Sequence, residues 1–253
     1  MDSSEFYKNS AVESKFENLP KILAKSGCLV MATDAFMRER NEDRLFLDLD
    51  SDTFAVVDGM GGYNYGDIAA EAVVRAIKEG IKTGLTPAQI QIEAYEIMRR
   101  CGVTDGGACY LAGTISGKKL NIWYAGDVTA ILFNEKGEIK FKSVNYGLQN
   151  VPRGIKPGHP SVDTIRLMNY DRLLIASDGL WNNVIVDEVI ELIKSLPIEE
   201  AVKELAILAK KGMTEQLGNG SYGNRDNLSI ILYQILPVPL RKYNSKESGD
   251  SFQ

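Results

Sequence analysis

Histidine is almost missing from this chain: its 253 residues hold one, His159. That excludes multi-histidine metal sites and phosphohistidine chemistry. A Ser-His-Asp triad would have to use His159, and no GxSxG elbow is present. Cysteine is scarce too. Cys28, Cys101 and Cys109 are an odd count without metal-ligand spacing, and none has an arginine six positions later, so a cysteine phosphate-binding loop is absent. They read as reduced thiols of a cytosolic compartment. No apolar run approaches the roughly 20 residues that span a bilayer. The opening MDSSEFYKNS is polar and acidic, unlike a secretory leader. Positive charge is in deficit: the net charge of −5 leaves no electrostatic footprint for nucleic acid. These absences predict a cytoplasmic monomer without membrane or nucleic-acid partners, in which acids carry any chemistry.

What is present is ordinary for a globular protein, with 44% hydrophobic and 25% charged residues, enough for a sizeable core. The organising stretch is FAVVDGMGG, Phe54 to Gly62. Its apolar run reads as a buried strand ending on Asp58, and its glycines permit a turn with close backbone approach. Around it the chain predicts strands CLVMATD, RLFLDLD and TFAVVD, then helices over 66–83 and 87–100. CYLAGTIS, KKLNIWYAGD, TAILFN and EIKFKSV follow as a run of antiparallel hairpins. Residues 145–160 are rich in Gly and Pro and predict an irregular loop. Strands TIRLM and RLLIASD, helices over 186–196 and 198–211, and a last strand LSIILYQIL complete the order. Segregated runs of this kind suggest an α+β fold with helices packed outside a pair of sheets. Residues 1–25, with an amphipathic patch at Phe16, Leu19, Ile22 and Leu23, predict a peripheral helix or partly ordered arm. Residues 26–237 form the domain, and 238–253 lose apolar content and predict a disordered tail.

Acids recur at strand ends. RERNEDR offers Glu42 and Asp43, FAVVDGMGG offers Asp58, WYAGD offers Asp127, LLIASDGLW offers Asp178 and NRDNLSIIL offers Asp226. Any one of them fits turn capping. If the strand ends meet, so many like charges need cations to stay ionised. Oxygen ligands without His or Cys point to magnesium or manganese. RLFLDLDSDT also looks like the DxDx(T/V) strand motif of haloacid-dehalogenase-type phosphatases, with Asp48 as nucleophile and Asp50 as acid. Asp52 occupies its Thr/Val position, however, and no strong downstream lysine and paired-aspartate motif follows, which favours an acidic hairpin turn.

In order and approximate spacing, RERNEDR, VVDGMGG, AGTISGKKLNIWYAGDVTAIL, LLIASDGLWNN and NRDNLSIILYQ resemble the metal-dependent type 2C (PPM) protein serine/threonine phosphatases. Met60 in DGMGG, where eukaryotic members usually have histidine, looks more like the bacterial branch. The resemblance implies a central antiparallel β-sandwich flanked by helix pairs, in four α-β-β-α layers, with two manganese or magnesium ions at one edge. Asp58 would bridge both ions and the Gly59 carbonyl would bind the first. Glu42, Asp178 and Asp226 would complete the second, with Asp43 ordering bound water. Asp127, in GDVTA where the family usually has GDSRA, matches a ligand of a third, weaker ion, and Arg38 matches the arginine that grips the substrate phosphate. The implied reaction is hydrolysis of phosphoserine and phosphothreonine in proteins, by attack of a metal-bridging hydroxide without a phosphoenzyme. The alternative is a catalytically weak regulatory pseudophosphatase acting by binding.

The sequence also departs from that pattern. Bacterial members usually carry a helical flap between the strands ending near Asp127 and Asp178. No helix-period segment lies there, which predicts a reduced or absent flap and leaves substrate choice open. Asn182 stands where an acid often follows GLW.

Overall fold

A computed structural model describes residues 16, 19–60, 65–103, 106–144, 159–215 and 223–237. The expectations for the arm before Phe16, for Gly61 and Gly62, for most of the 145–160 loop and for the tail after Pro237 lie outside them.

The strands are β1 (Ile22–Leu23), β2 (Gly27–Asp34), β3 (Arg44–Asp48), β4 (Thr53–Gly59), β5 (Ala108–Ser116), β6 (Lys119–Ala125), β7 (Thr129–Phe133), β8 (Ile139–Lys142), β9 (Ser161–Arg166), β10 (Arg172–Ala176) and β11 (Leu228–Ile235). The helices are α1 (Gly66–Thr83), α2 (Pro87–Arg100), α3 (Asp178–Trp181), α4 (Val186–Ser195) and α5 (Ile198–Thr214). The strands form two antiparallel sheets, one ordered β1-β2-β11-β10-β7-β8 and the other β3-β4-β5-β6-β9. This is the α+β fold with helices outside a pair of sheets that the segregated element order suggests, in the four layers that the family resemblance implies.

Alternating burial explains the layers. Leu29, Val56, Leu111, Ile122, Leu132, Ile175 and Ile231 point between the sheets and make the central core. The other face of β4 and β5 meets α1 and α2 through Val57 and Tyr110 against Val73, Ile77 and Ala94. The outer face of β10 and β11 meets α4 and α5 through Leu174 and Ile230 against Val189, Val202 and Leu205. Each fully buried aliphatic chain contributes roughly 1.5–3 kcal/mol. Local signals set the helix ends. Thr86 accepts from the Gln89 N–H while the Thr86 N–H donates to Gln89 Oε1, a reciprocal cap with Pro87 in the first turn. Gly84 closes α1 in the left-handed region, at φ 70°.

Three local expectations change. Ile22–Leu23 is an edge strand on β2, not part of a helix. A four-residue helix starts at Asp178, where the sequence suggests only a strand end. The run of hairpins breaks between β6 and β7: β6 pairs with β5 and β9, whereas β7 pairs with β10 and β8 in the other sheet. Gly126, at φ 98°, turns that corner, and a side chain on it would lie 2.3 Å from Cys109 Sγ. The crossing puts Asp127 at the seam between the sheets. Among the described residues no helix is long and apolar enough to cross a membrane.

Candidate metal centre

Sheet topology brings separate acids to one end of the sandwich. β4 ends with Asp58 and Gly59 in one sheet. In the other, Ala176 of β10 pairs with Ile230 of β11, so Asp178 just beyond β10 and Asp226 just before β11 emerge side by side. Their mutual repulsion shows in their acidities. Burial first, then the charges of Asp43, Asp178, Asp127 and Asp226, raise Asp58 well above the usual carboxylate range. Burial, with the charges of Asp226 and Asp127, pushes Asp178 up to about 6, against a hydrogen bond from Asp58 and the charge of Arg38. Glu42 is raised by burial and by Asp67 and Asp226, and lowered by Arg38 and Arg40.

The loop carrying Glu42 and Asp43 is fixed by a residue that sequence reasoning overlooked. Asn227, buried at the start of β11, donates from Nδ2 to Ala35 O at 2.9 Å and Arg40 O at 2.8 Å, and its Oδ1 accepts from the Glu42 N–H at 2.9 Å. One amide thus spans both ends of the 35–42 loop. Asn41 closes a second ring, accepting from the Asp43 N–H at 3.1 Å and donating to Thr33 Oγ1 at 2.8 Å. Thr33 Oγ1 lies 2.7 Å from Ser229 Oγ, and the Ser229 side chain is near enough to Asp43 to favour its charged form. Ser177 Oγ donates to Asp43 Oδ2 at 2.9 Å. Asp43 is 2% exposed, and its Oδ1 has no hydrogen-bond partner. Burial pushes its pKa up to about 7, with the two serines opposing and Asp226 and Asp178 reinforcing the rise. The signal for Asn227 lay inside NRDN, but its partners are distant in sequence.

Two glycines let backbone reach the site. A Cβ on Gly59 would sit 2.3 Å from Gly66 O and 2.6 Å from Glu42 O, and one on Gly66 would lie 3.1 Å from Glu42 Cδ. The Gly59 backbone, the first turn of α1 and Glu42 are therefore in direct apposition, which only glycine permits. Arg38 also reaches the site: its Nε donates to Arg225 O at 2.8 Å and a terminal nitrogen donates to Asp226 Oδ2 at 3.0 Å. Asn182 Nδ2 donates to Asp178 Oδ2 at 3.0 Å, so the amide in place of an acid orients one of the site's carboxylates.

The structure thus brings Asp43, Asp58, Asp127, Asp178 and Asp226 within electrostatic reach of one another, with Glu42, the Gly59 backbone and Arg38 at the margin. Among the described residues no three acidic, cysteine or histidine side chains are closed around a common centre. Donor chemistry nonetheless fits hard divalent cations. All the candidate donors are oxygens, one buried carboxylate oxygen on Asp43 is unpartnered, and the acids carry raised pKa values that positive charge would relieve.

The four-layer sandwich thus gathers oxygen donors from both sheets at one seam. No family model matches the chain. It is 27% identical over 201 residues to the probable protein phosphatase 2C BIPP2C1 of rice (Oryza sativa subsp. japonica), covering 74% of this chain and 35% of the relative. It is 26% identical over 240 residues to the serine/threonine phosphatase stp of Listeria welshimeri, covering 78% and 91%. The chain thus spans about a third of the rice relative and most of the bacterial one. Among solved structures it resembles the photosystem II phosphatase PBCP, with a TM-score of 0.69, 20% identity and coverage of 82% and 98%. It also resembles the catalytic domain of the serine/threonine phosphatase PstP in complex with two manganese ions, with a TM-score of 0.65, 20% identity and coverage of 83% and 98%. The chain is thus similar in sequence to type 2C protein phosphatases of plants and bacteria and shares the fold of solved phosphatases of that type.

Proposed function

We propose that the chain is a manganese- or magnesium-dependent phosphatase of phosphoserine and phosphothreonine in proteins. The observation that carries this reading is the meeting of Asp58 from one sheet with Asp178 and Asp226 from the other, all oxygen donors. Asp58, the Gly59 carbonyl, Glu42, Asp178 and Asp226 would hold two ions, with Asp43 behind them and Asp127 available to a third, weaker one. When bound, such ions supply Lewis-acid charge and make water nucleophilic near neutral pH.

The chain's own residues supply the rest. Arg38, a planar donor already at the edge of the site, would turn from Asp226 to the phosphate oxygens and neutralise their charge. Asn227 and Asn41 keep the Glu42–Asp43 loop in place while this happens. No cysteine nucleophile competes, because burial raises the Cys109 thiol well above its usual range. Water therefore attacks phosphorus directly and no phosphoenzyme forms. Met60 offers no proton to the leaving alkoxide, and His159 is exposed, so solvent protonates it. A protein that only binds has no use for so many mutually repelling carboxylates, which argues against the pseudophosphatase alternative. The reading includes a cytoplasmic monomer acting on phosphoproteins, not on membranes or nucleic acid.

Asp58→Asn tests it. With saturating manganese, hydrolysis of a phosphothreonine peptide should fall by more than about 100-fold, and calorimetry should show weakened manganese binding. A variant that keeps more than about a hundredth of wild-type kcat overturns the two-ion account.

A further inference from the structure

On the face of the molecule away from the sheets, α4 and α5 leave a groove of about 520 Å³ between them. Its floor is apolar, made by Leu192, Ile207 and Leu208, and Ile207 is 45% exposed. Its rim is acidic: Glu188 and Glu191 of α4 face Glu204 of α5, and Asp187 adds a fourth carboxylate against the single cation Lys211. An apolar trough with a negative rim selects an occupant that alternates apolar and basic side chains.

The chain itself contains one. Residues 238–246, VPLRKYNSK, offer Val238, Leu240 and Tyr243 with Arg241, Lys242 and Lys246, and no acid among them. They start in the right place. Leu236 packs against the same core as Leu192 and Leu196, and Gln234 lines a small cleft with Ile193 and Lys194 in the last turn of α4. Ser195, one residue further, lines the groove. Nine residues reach roughly 30 Å at about 3.3–3.6 Å each, about twice the roughly 15 Å length of a ten-residue helix. We propose that residues 238–246 dock in the α4–α5 groove of their own chain, apolar side chains on its floor and basic ones on its rim.

Such docking would brace more than the surface. Gly212 of α5 abuts Asn183, where a Cβ would lie 2.1 Å from Asn183 O. Asn183 Nδ2 in turn donates to Gly179 O at 3.0 Å and Asn224 O at 2.8 Å. The helical hairpin therefore backs the turns that carry Asp178 and Asp226.

Zero-length carbodiimide cross-linking of the full chain at low concentration, read by mass spectrometry, tests the proposal. Monomeric species should carry links from Lys242 or Lys246 to Glu188, Glu191 or Glu204. In R241E/K242E, amide exchange in α4 and α5 should quicken roughly fivefold, the scale of two or three exposed ion pairs. Links found only in dimeric species would assign the groove to a second copy, and links equally frequent to Glu79 and Glu93 on the opposite helix pair would show no docking. Either result, or unchanged exchange in the variant, overturns the proposal.

Discussion

Asn227→Asp replaces one amide nitrogen with oxygen and should be among the most damaging isosteric changes in the molecule. In the native side chain, Nδ2 donates to two carbonyl oxygens, Ala35 O and Arg40 O, at 2.9 and 2.8 Å. A carboxylate there has no donor, so both hydrogen bonds become contacts between negative oxygens at the same distances. Only the Glu42 N–H contact, at 2.9 Å, still suits an acceptor. Unsatisfied buried groups cost about 1–3 kcal/mol each. Two of them, at a residue 4% exposed, predict a loss of roughly 2–6 kcal/mol, less any relief from rearrangement. For a domain of this size that lowers Tm by roughly 4–24 °C. Asn227→Ala should lie within the same range, since it removes all three contacts without adding a charge. Differential scanning calorimetry in chelator, where bound ions cannot mask the change, measures both. If Asn227→Asp melts within about 1 °C of wild type, the amide does not hold the 35–42 loop and the account of how Glu42 and Asp43 are positioned fails.

Two further predictions concern the ends of the sandwich. Asp43, Asp58 and Asp178 have folded pKa values raised above the unfolded carboxylate range, so each favours the folded state when protonated. In chelator, stability should therefore be fullest below about pH 4 and fall as pH rises through about 6 for Asp178 and about 7 for Asp43. Manganese at 100 times its Kd at pH 7 should restore about 2.7 kcal/mol there, and the same concentration should restore less at pH 5, where the acids are protonated; melting temperatures in chelator that do not change between pH 5 and 7 would count against the clustered acids. At the other end, Asp52 is 1% exposed and accepts from the Ser26 N–H at 3.0 Å and the Tyr233 hydroxyl at 2.9 Å. Asp52→Ala should cost about 2–6 kcal/mol by stranding both donors while leaving the manganese-induced shift in Tm unchanged, and a cost below about 1 kcal/mol would show that water replaces the carboxylate.

Much of this was legible in the sequence because the signals are local. The helical spacing of apolar residues over 66–83, with Gly84 beyond, marks α1 from end to end. FAVVDG reads as a strand because every residue from Phe54 to Val57 is apolar, and those four are fully buried. Partners are different, because periodicity reports burial and not which strand lies alongside. TAILFN looks like the hairpin mate of KKLNIWYAGD, yet the Gly126 corner sends β7 to the other sheet. The acids announced themselves by repeating at strand ends. Asn227, Asn41 and Ser177, which position them, look like ordinary turn residues until the fold sets them against chain from elsewhere.

Asp52 and the acids of the site lie at opposite ends of the same two sheets, separated by the length of β4, about 20 Å for its seven residues. At the Asp52 end, a carboxylate of one sheet grips Ser26 and Tyr233 of the other with hydrogen bonds that require nothing from solution. At the far end, Asp58 faces Asp178 and Asp226 across the seam, and their raised pKa values show that ionising them together is unfavourable there. The sandwich is therefore pinned at both edges, at one by Asp52 and at the other by the Ser177–Asp43 and Glu42–Asn227 hydrogen bonds, but only the second edge carries acids whose repulsion divalent ions would relieve. Under the two-ion reading proposed above, cation supply would set how firmly the two sheets meet at that edge as well as the chemistry there.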